Sequence, residues 1–405
     1  MLSRPFLTLA FAMFTATMGI GMVTPILSVY AESQGATGAE IGLAFSSFAI
    51  TQLLISPFSG RLADRYGRKI FIVAGLASYV VTALGWYYTD SVYWTIAFRA
   101  FSGIGSAVIF SLSQAYIGDL APSGYEGRFM GVFGIFMAVG FGIGPLLAGV
   151  VRDQTDIETV FLSMAVMFAA ATVIVFVALP RSKRISHGEE GAPAQVPWST
   201  ILRHPYVQGL YLVGTSLAFA MGASFTFVAI FLENELAATG TMVGAVLAVQ
   251  QVTAGAMQPV SGMLADRFNR RLLIAAGAAL VAVGYLVPSM VDSYWVILAA
   301  FMVGVGVGSS VAQVSTQALQ VDIGRGLGMA TVMSLQSTSF GSGILLGATL
   351  TGFVNDAIGT RAVFVAASIA IAVGAVAFLV RTAGRRPTRF GEGEAPRTVA
   401  EAASG

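Results

Sequence analysis

The sequence predicts an all-α polytopic membrane protein, with twelve transmembrane helices arranged as two six-helix pseudo-repeats. Three observations predict it. Of 405 residues, 56% are hydrophobic and only 10% charged, with a mean hydropathy of +0.79. A soluble domain carries roughly 25% charged residues, so most of this surface meets lipid. Twelve apolar runs reach the roughly 20 residues that a helix needs to cross a bilayer. Finally, the charged loop Gly60-Arg61-Leu62-Ala63-Asp64-Arg65-Tyr66-Gly67-Arg68-Lys69 returns, altered, as Gly262-Met263-Leu264-Ala265-Asp266-Arg267-Phe268-Asn269-Arg270-Arg271. Repetition at half the chain length indicates a duplicated unit.

Taken in order, the runs lie near 6–30, 41–59, 70–88, 92–117, 128–151 and 159–179, then near 206–231, 240–261, 272–290, 293–320, 327–353 and 362–380. The first follows a single basic residue, Arg4. At about 25 residues it exceeds a signal-peptide core and reads as a retained span. The domains expected are an N-terminal bundle over 1–180, a linker over 181–205, a C-terminal bundle over 206–381 and a tail over 382–405. The linker is polar, with Arg181, Lys183, Arg184, Glu189 and Glu190. The tail is rich in Gly, Pro, Arg and Glu, a composition expected to be disordered.

An even number of spans puts both termini on one side. That side collects nineteen of the 22 Lys and Arg residues, and the other holds only Arg152 and Arg361. Acidic residues divide evenly. The positive-inside rule then makes the termini and both charged loops cytoplasmic, in a plasma (inner) membrane. A net charge of +2 without a long basic tract gives no reason to expect nucleic acid as a partner. With no cysteine and only His187 and His204, neither a metal site nor a histidine-based catalytic site is expected. No nucleophile, acid pair or metal cluster stands in register, so an enzyme is not expected and no cofactor is implied. A receptor or scaffold would need neither two matched halves nor a charge buried in a span.

The repeat extends beyond the loop. Ser56 to Gly60 matches Gln258 to Gly262; Phe98, Gly103, Gly105 and Asp119 match Phe301, Gly306, Gly308 and Asp322; Tyr30-Ala31-Glu32 matches Phe231-Leu232-Glu233. Phe141-Gly142-Ile143-Gly144 matches Phe340-Gly341-Ser342-Gly343, at an offset of 199.

Several residues carry candidate functions. In the first loop, Gly60 and Gly67 permit a tight turn, Asp64 can cap the next helix, and Arg65, Arg68 and Lys69 can hold anionic headgroups. With Asp119 they can form a charge network, or they can serve only as an orientation signal and turn. The second copy keeps Asp266 and Arg267 but has Asn269 for glycine. Arg99 is the charged residue well inside a span; its repeat mate is Met302. An Arg there costs about 2.5–3.5 kcal/mol on insertion scales and should face protein or water. It can tune a proton site or bind substrate, or it can bond to backbone carbonyls. Helix 5 carries Gly140, Gly142, Gly144 and Gly149 as a close-packing face, with Pro145 permitting a bend; Gly341, Gly343 and Gly347 match it in helix 11. Polar cavity candidates are Gln52, Gln114, Gln250, Gln251, Gln313 and Gln336, with Phe14, Met18, Phe48, Phe225 and Met333 as adaptable walls.

These motifs together resemble those of the major facilitator superfamily, and more narrowly its twelve-helix drug/proton antiporter branch. The loop from Gly60 to Lys69 resembles the superfamily signature between helices 2 and 3. The stretch from Ile96 to Ala107 resembles the helix-4 motif, with Ser102 where Gln is usual, and Gly140, Gly144, Pro145 and Gly149 resemble the antiporter motif, with Ala148 for one glycine. The resemblance implies alternating access about a midplane site and a gating role for Asp64, Arg68 and Asp119. It also implies a monomer exporting small amphiphilic or drug-like compounds, in exchange for protons. Glu32 and Glu233, near the outer ends of helices 1 and 7, are the candidate coupling carboxylates there, with Asp64 and Asp119 at the inner face. The alternative is an importer or uniporter of a metabolite or organic anion, or a carrier of a lipid-like substrate.

Overall fold

In lipid no water satisfies a bare backbone amide, so each apolar run closes its own hydrogen bonds as a helix. The computed structural model describes residues 3–120, 126–180, 203–327 and 329–384; within these, the side chains of 57, 60–62, 64–66, 114–115, 118–119, 126–131, 324–331 and 333–334 lie outside the description. Most of the linker and tail lie outside it as well.

Among the described residues, six long helices precede the linker: α1 (Arg4–Ser33), α2 (Gly38–Tyr66), α3 (Arg68–Tyr88), α4 (Val92–Leu120), α5 (Glu126–Gln154) and α6 (Ile157–Ala178). Six follow it: α7 (Pro205–Leu236), α8 (Gly240–Arg267), α9 (Arg270–Leu286), α10 (294–327), α11 (Met329–Ile358) and α12 (Thr360–Thr382). Eleven are long and apolar enough to cross a membrane by length and composition. The twelfth, α11, spans 30 residues but is diluted by Gln336, Ser337, Thr338, Ser339 and Ser342.

Local chemistry sets the helix ends. Thr37 and Glu40 form a reciprocal capping box at the start of α2. Asp156 caps α6 by accepting from the Thr159 N–H at 2.7 Å; hydrogen bonds from Thr159 hold its carboxyl below the usual range. The two charged loops turn differently. Gly67 sits at φ +94°, whereas Asn269 stays at φ −65° and caps α9 by accepting from the Arg271 N–H.

Helices α1 and α7 are the innermost elements: 72% of each apolar window is buried inside the protein, against 33–50% for the others. α1 packs on α5, α7 packs on α11 and α12, and the two halves meet chiefly through α5 with α8 and α2 with α11. α10 is not one regular helix. Residues Ala300–Val307 form a π segment between Tyr294–Ala299 and Gly308–Leu327. Here Gly304 lies so close to Gly284 of α9 that an added Cβ would sit 2.5 Å from the Gly284 Cα.

One expectation on the repeat needs correction. A Cβ on Gly140 or Gly144 would meet α1 at the Phe14 or Met18 carbonyl, while one on Gly343 or Gly347 would meet α7 at the Thr215 or Phe219 carbonyl. Gly343 and Gly347 are therefore the structural mates of Gly140 and Gly144, at an offset of 203 (343 − 140) and not 199. A shift of four residues is about one helical turn and preserves the face, which is why residue matching alone found the wrong turn.

Candidate functional site

A cavity of about 310 Å³ lies in the C-terminal half, lined from α7, α8, α9, α10 and α11, with Ala138 of α5 reaching it from the N-terminal half. Its polar groups are six glutamines (Gln250, Gln251, Gln258, Gln313, Gln320 and Gln336) together with Tyr211, Tyr285, Ser309, Thr316 and Ser339. All the described lining residues are uncharged. Val305 belongs to the π segment and Ser309 follows it, so that irregularity borders the cavity, as such segments often border functional sites. Gln250 and Gln320 are each only 4% exposed, and their Oε1 atoms have no hydrogen-bond partner among the described residues.

Four of the six cavity glutamines expected from the sequence, Gln250, Gln251, Gln313 and Gln336, line this space. Gln52 does not; it donates to the Ser106 hydroxyl at 3.0 Å inside the N-terminal half. The Gln114 side chain lies outside the described residues, as does that of Met333. Phe14, Met18, Phe48 and Phe225 are not lining residues. Gln258 and Gln320 went unrecognised in the sequence. Gln320 lies one face-preserving step of seven from Gln313 along α10, and Gln258 seven from Gln251 along α8; that spacing was the available signal.

The face opposite the chain termini is clasped shut between the halves. Asp153, at the end of α5, accepts from the Gly240 and Thr241 N–H groups that open α8, each at 2.7 Å. Asp356, at the end of α11, accepts from the Gly38 and Ala39 N–H groups that open α2, at 2.6 and 2.9 Å. The pseudo-repeat thus places one carboxylate from each half on a helix start of the other, where bare amides and the helix dipole favour an anion. Thr37 and Thr239 cap the next amide from their own helix. Glycine at 38 and 240 leaves room for this approach: a Cβ would lie 2.9 Å from the Gly352 carbonyl or 3.0 Å from the Gly149 carbonyl, besides crowding the incoming carboxylate.

Around these caps the backbones nearly touch. An added Cβ on Gly149 would meet the Gly240 carbonyl at 2.1 Å, one on Gly244 the Pro145 carbonyl at 2.3 Å, and one on Gly42 the Ala348 carbonyl at 2.3 Å. The helix-5 motif therefore divides its work. Gly140 and Gly144 seat α5 on α1, while Pro145 and Gly149 seat it on α8. Ser46 and Thr349 hydroxyls meet at 2.6 Å across the halves.

The carboxylates singled out in the sequence sit on the same face. Arg152 donates to both oxygens of Glu233, which couples α5 to α7. Glu32 accepts from Asn234 Nδ2 at 2.9 Å, which couples α1 to α7. Neither is a cavity-lining residue. Asp153 and Asp356 were missed because they end apolar runs and read as solvated; their offset of 203 (356 − 153), one more than the 202 (240 − 38) between the Thr-Gly pairs, was the sign that both belong to the duplicated unit.

Arg99 is 3% exposed and lies in α4 with its guanidinium 4.4 Å from the Phe48 ring centre and 5.2 Å from that of Phe45, both on α2. Its Nε and Nη1 have no hydrogen-bond partner among the described residues. It does not line the cavity.

At the terminal face, the side chains of Gly60, Asp64, Arg65 and Asp119 lie outside the described residues. Arg68 is buried at the start of α3. The second loop is described. Arg270 forms an ion pair with Asp322 of α10 and a looser one with Asp266 at 3.9 Å, and donates to the Ala265 and Ala318 carbonyls. These partners ties the loop to its own bundle, while Arg267 is exposed at the end of α8.

Comparison with known proteins gives the same architecture. The family model described as Major Facilitator Superfamily matches residues 9–231 and 210–404. An uncharacterised MFS-type transporter of Methanocaldococcus jannaschii is 28% identical over 372 residues, 90% of this chain and 95% of that protein. The multi-drug resistance efflux pump PmrA of Streptococcus pneumoniae is 26% identical over 384 residues, 92% of this chain and 94% of that one. Among solved structures, a bacterial homolog to the human lysosomal transporter Spinster, in an inward-facing and unoccupied conformation, superposes with a TM-score of 0.77 at 15% identity, covering 93% of this chain and 96% of that chain. A mutant of the nucleoside transporter NupG gives 0.77 at 14%, covering 93% and 99%. At such identities the structural likeness is one of fold.

Proposed function

Because the chain belongs to the Major Facilitator Superfamily, we propose that it exports small drug-like amphiphiles by alternating access, in exchange for protons. It is a membrane transporter and not an enzyme. The observation that supports the reading is closure of the far face by two cross-half caps and tight glycine contacts, in a protein whose C-terminal half holds a largely apolar cavity of about 310 Å³ with amide and hydroxyl groups in its wall. Relatives named as multidrug efflux pumps, such as PmrA, support a drug-like cargo.

The bundles over 1–180 and 206–381 act as two bodies joined by the 181–205 linker, and the tail covers 382–405. The Lys and Arg distribution assigns the terminal face to the cytoplasm. The described state then receives cargo from inside, and a monomer suffices. Opening the far face requires Asp153 and Asp356 to leave their helix starts and Arg152 to release Glu233. Glu233 and Glu32 are the coupling carboxylates on this face: loss of the Glu233 charge breaks its pair with Arg152 and frees α5 from α7, and Glu32 joins α1 to α7 through Asn234. Asp64, Arg65, Arg68 and Asp119, with Gly60 and Gly67, close the cytoplasmic side in the other state, and Asp266 and Arg267 belong to the matching loop. Arg99 braces α4 against α2 within the N-terminal bundle, so that the bundle moves as one body.

The test is proton flux in proteoliposomes with a pH dye inside and lipophilic cations, neutral drugs and organic anions added outside. Cargo-dependent proton movement, abolished in Glu233→Gln, is expected. The uncharged lining favours one other reading, facilitated diffusion without coupling. Cargo flux with no proton movement would establish it in place of antiport.

A further inference from the structure

We infer that the cavity selects uncharged amphiphiles bearing amide or hydroxyl groups, and that Gln250 and Gln320 are the residues that receive those groups. This deepens the export reading and rests on it.

Two independent observations carry the inference. The first is the charge of the lining. Every described residue around the cavity is neutral, and its polar groups are amides and hydroxyls. A cation or anion moved out of water needs an opposite charge or suffers a desolvation penalty of several kcal/mol. The cavity offers neither sign. Arg99 is held against Phe45 and Phe48 in the other half, and Arg270 and Asp322, near the end of α10, are paired with each other outside the lining.

The second observation is unmet hydrogen bonding. Gln250 on α8 and Gln320 on α10 are 96% buried, and the Oε1 atom of each lacks a partner among the described residues. A buried polar atom left unpaired costs about 1–3 kcal/mol, so turning either side chain toward the cavity to bond an entering group relieves that cost. An amide or hydroxyl both donates and accepts, and therefore answers a glutamine in either orientation of its side-chain amide. Val305, Leu217 and Met221 supply apolar wall for the rest of the molecule.

The test uses a matched aromatic series: triphenylacetamide, its N,N-dimethyl derivative, tetraphenylphosphonium and tetraphenylborate. Binding to the purified protein in detergent is measured by equilibrium dialysis, and flux of each is measured in proteoliposomes. Triphenylacetamide is expected to bind more tightly than either ion and than the dimethyl derivative. The double variant Gln250→Leu/Gln320→Leu should weaken it about tenfold or more, as loss of over 1.4 kcal/mol implies, while leaving the dimethyl derivative nearly unchanged. Gln250→Glu adds a carboxylate at the same place and should raise tetraphenylphosphonium affinity about tenfold; this gain cannot arise from misfolding. Tighter binding of tetraphenylphosphonium by the unaltered protein, or triphenylacetamide binding indifferent to both variants, overturns the inference. Should cations be carried while the amide is not bound, the inference falls and export stands. Should the amide bind as expected while no probe is carried, export falls and the chemistry of the cavity stands.

Discussion

Gly67 and Asn269 occupy the same place in the two charged loops and solve the turn by different means. Gly67 takes a positive φ of +94°, which a Cβ makes costly. Asn269 keeps a negative φ and accepts a hydrogen bond from the Arg271 N–H. Gly67→Ala should therefore cost about 1 kcal/mol, and Asn269→Ala about 1 kcal/mol through loss of the cap. Asn269→Gly should cost only a few tenths. Thermal unfolding of the three variants in detergent checks this; a large effect of Asn269→Gly would mean that the cap contributes more than its hydrogen bond. Arg99 poses the opposite problem, a buried charge whose Nε and Nη1 lack partners among the described residues. Its ring contacts return about 0.5–2 kcal/mol, less than a paired charge would give. Arg99→Met should leave the melting temperature unchanged or raise it. If the guanidinium serves transport, the same variant loses flux by at least about tenfold, a barrier change of 1.4 kcal/mol. Full flux in Arg99→Met would reduce Arg99 to a packing residue.

Between elements, the decisive contacts are carboxylates set on helix starts of the opposite half. An anion at a helix N-terminus contributes about 0.3–1 kcal/mol, and up to about 2 where partly buried. At about 1 kcal/mol each, removing both charges in Asp153→Asn/Asp356→Asn shifts the closed–open balance about thirtyfold toward an open far face. The chain contains no cysteine, so Thr349→Cys alone provides a reporter at the seam. Its labelling by an impermeant maleimide should accelerate in the double variant; an unchanged rate would mean that the caps do not hold the face closed. Gly149→Val acts in the same direction by sterics, since its Cβ would lie 2.1 Å from the Gly240 carbonyl, a contact that backbone cannot yield without separating α5 from α8. The two substitutions reach one outcome through charge and through shape, and the same maleimide assay measures both.

On the scale of the whole molecule, the order and number of spans were legible, because lipid forces each apolar run into a helix and the duplication repeats the pattern. Four cavity glutamines were legible as polar residues on apolar helices. The pairing between halves was not. Asp153 and Asp356 become gate residues only when α5 meets α8 and α11 meets α2, and no local period encodes that meeting. The π segment of α10 was equally hidden; it includes Gly304, which packs against Gly284 of α9, a contact that exists only once the helices meet. The alternating-access motion belongs to this scale, and one seam tests it. Ser46 of α2 and Thr349 of α11 bring their hydroxyl oxygens to 2.6 Å across the halves, a separation that paired cysteines can bridge. In Ser46→Cys/Thr349→Cys, oxidation should lock the far face closed and stop flux, and a reductant should restore it. Cargo should still bind to the oxidised protein, because the cavity lies in the C-terminal half and neither residue lines it. Binding retained with flux lost separates a gate from a substrate site. Flux that continues through the oxidised form, with the disulfide confirmed by mass, would mean that cargo crosses without the halves parting at α2 and α11.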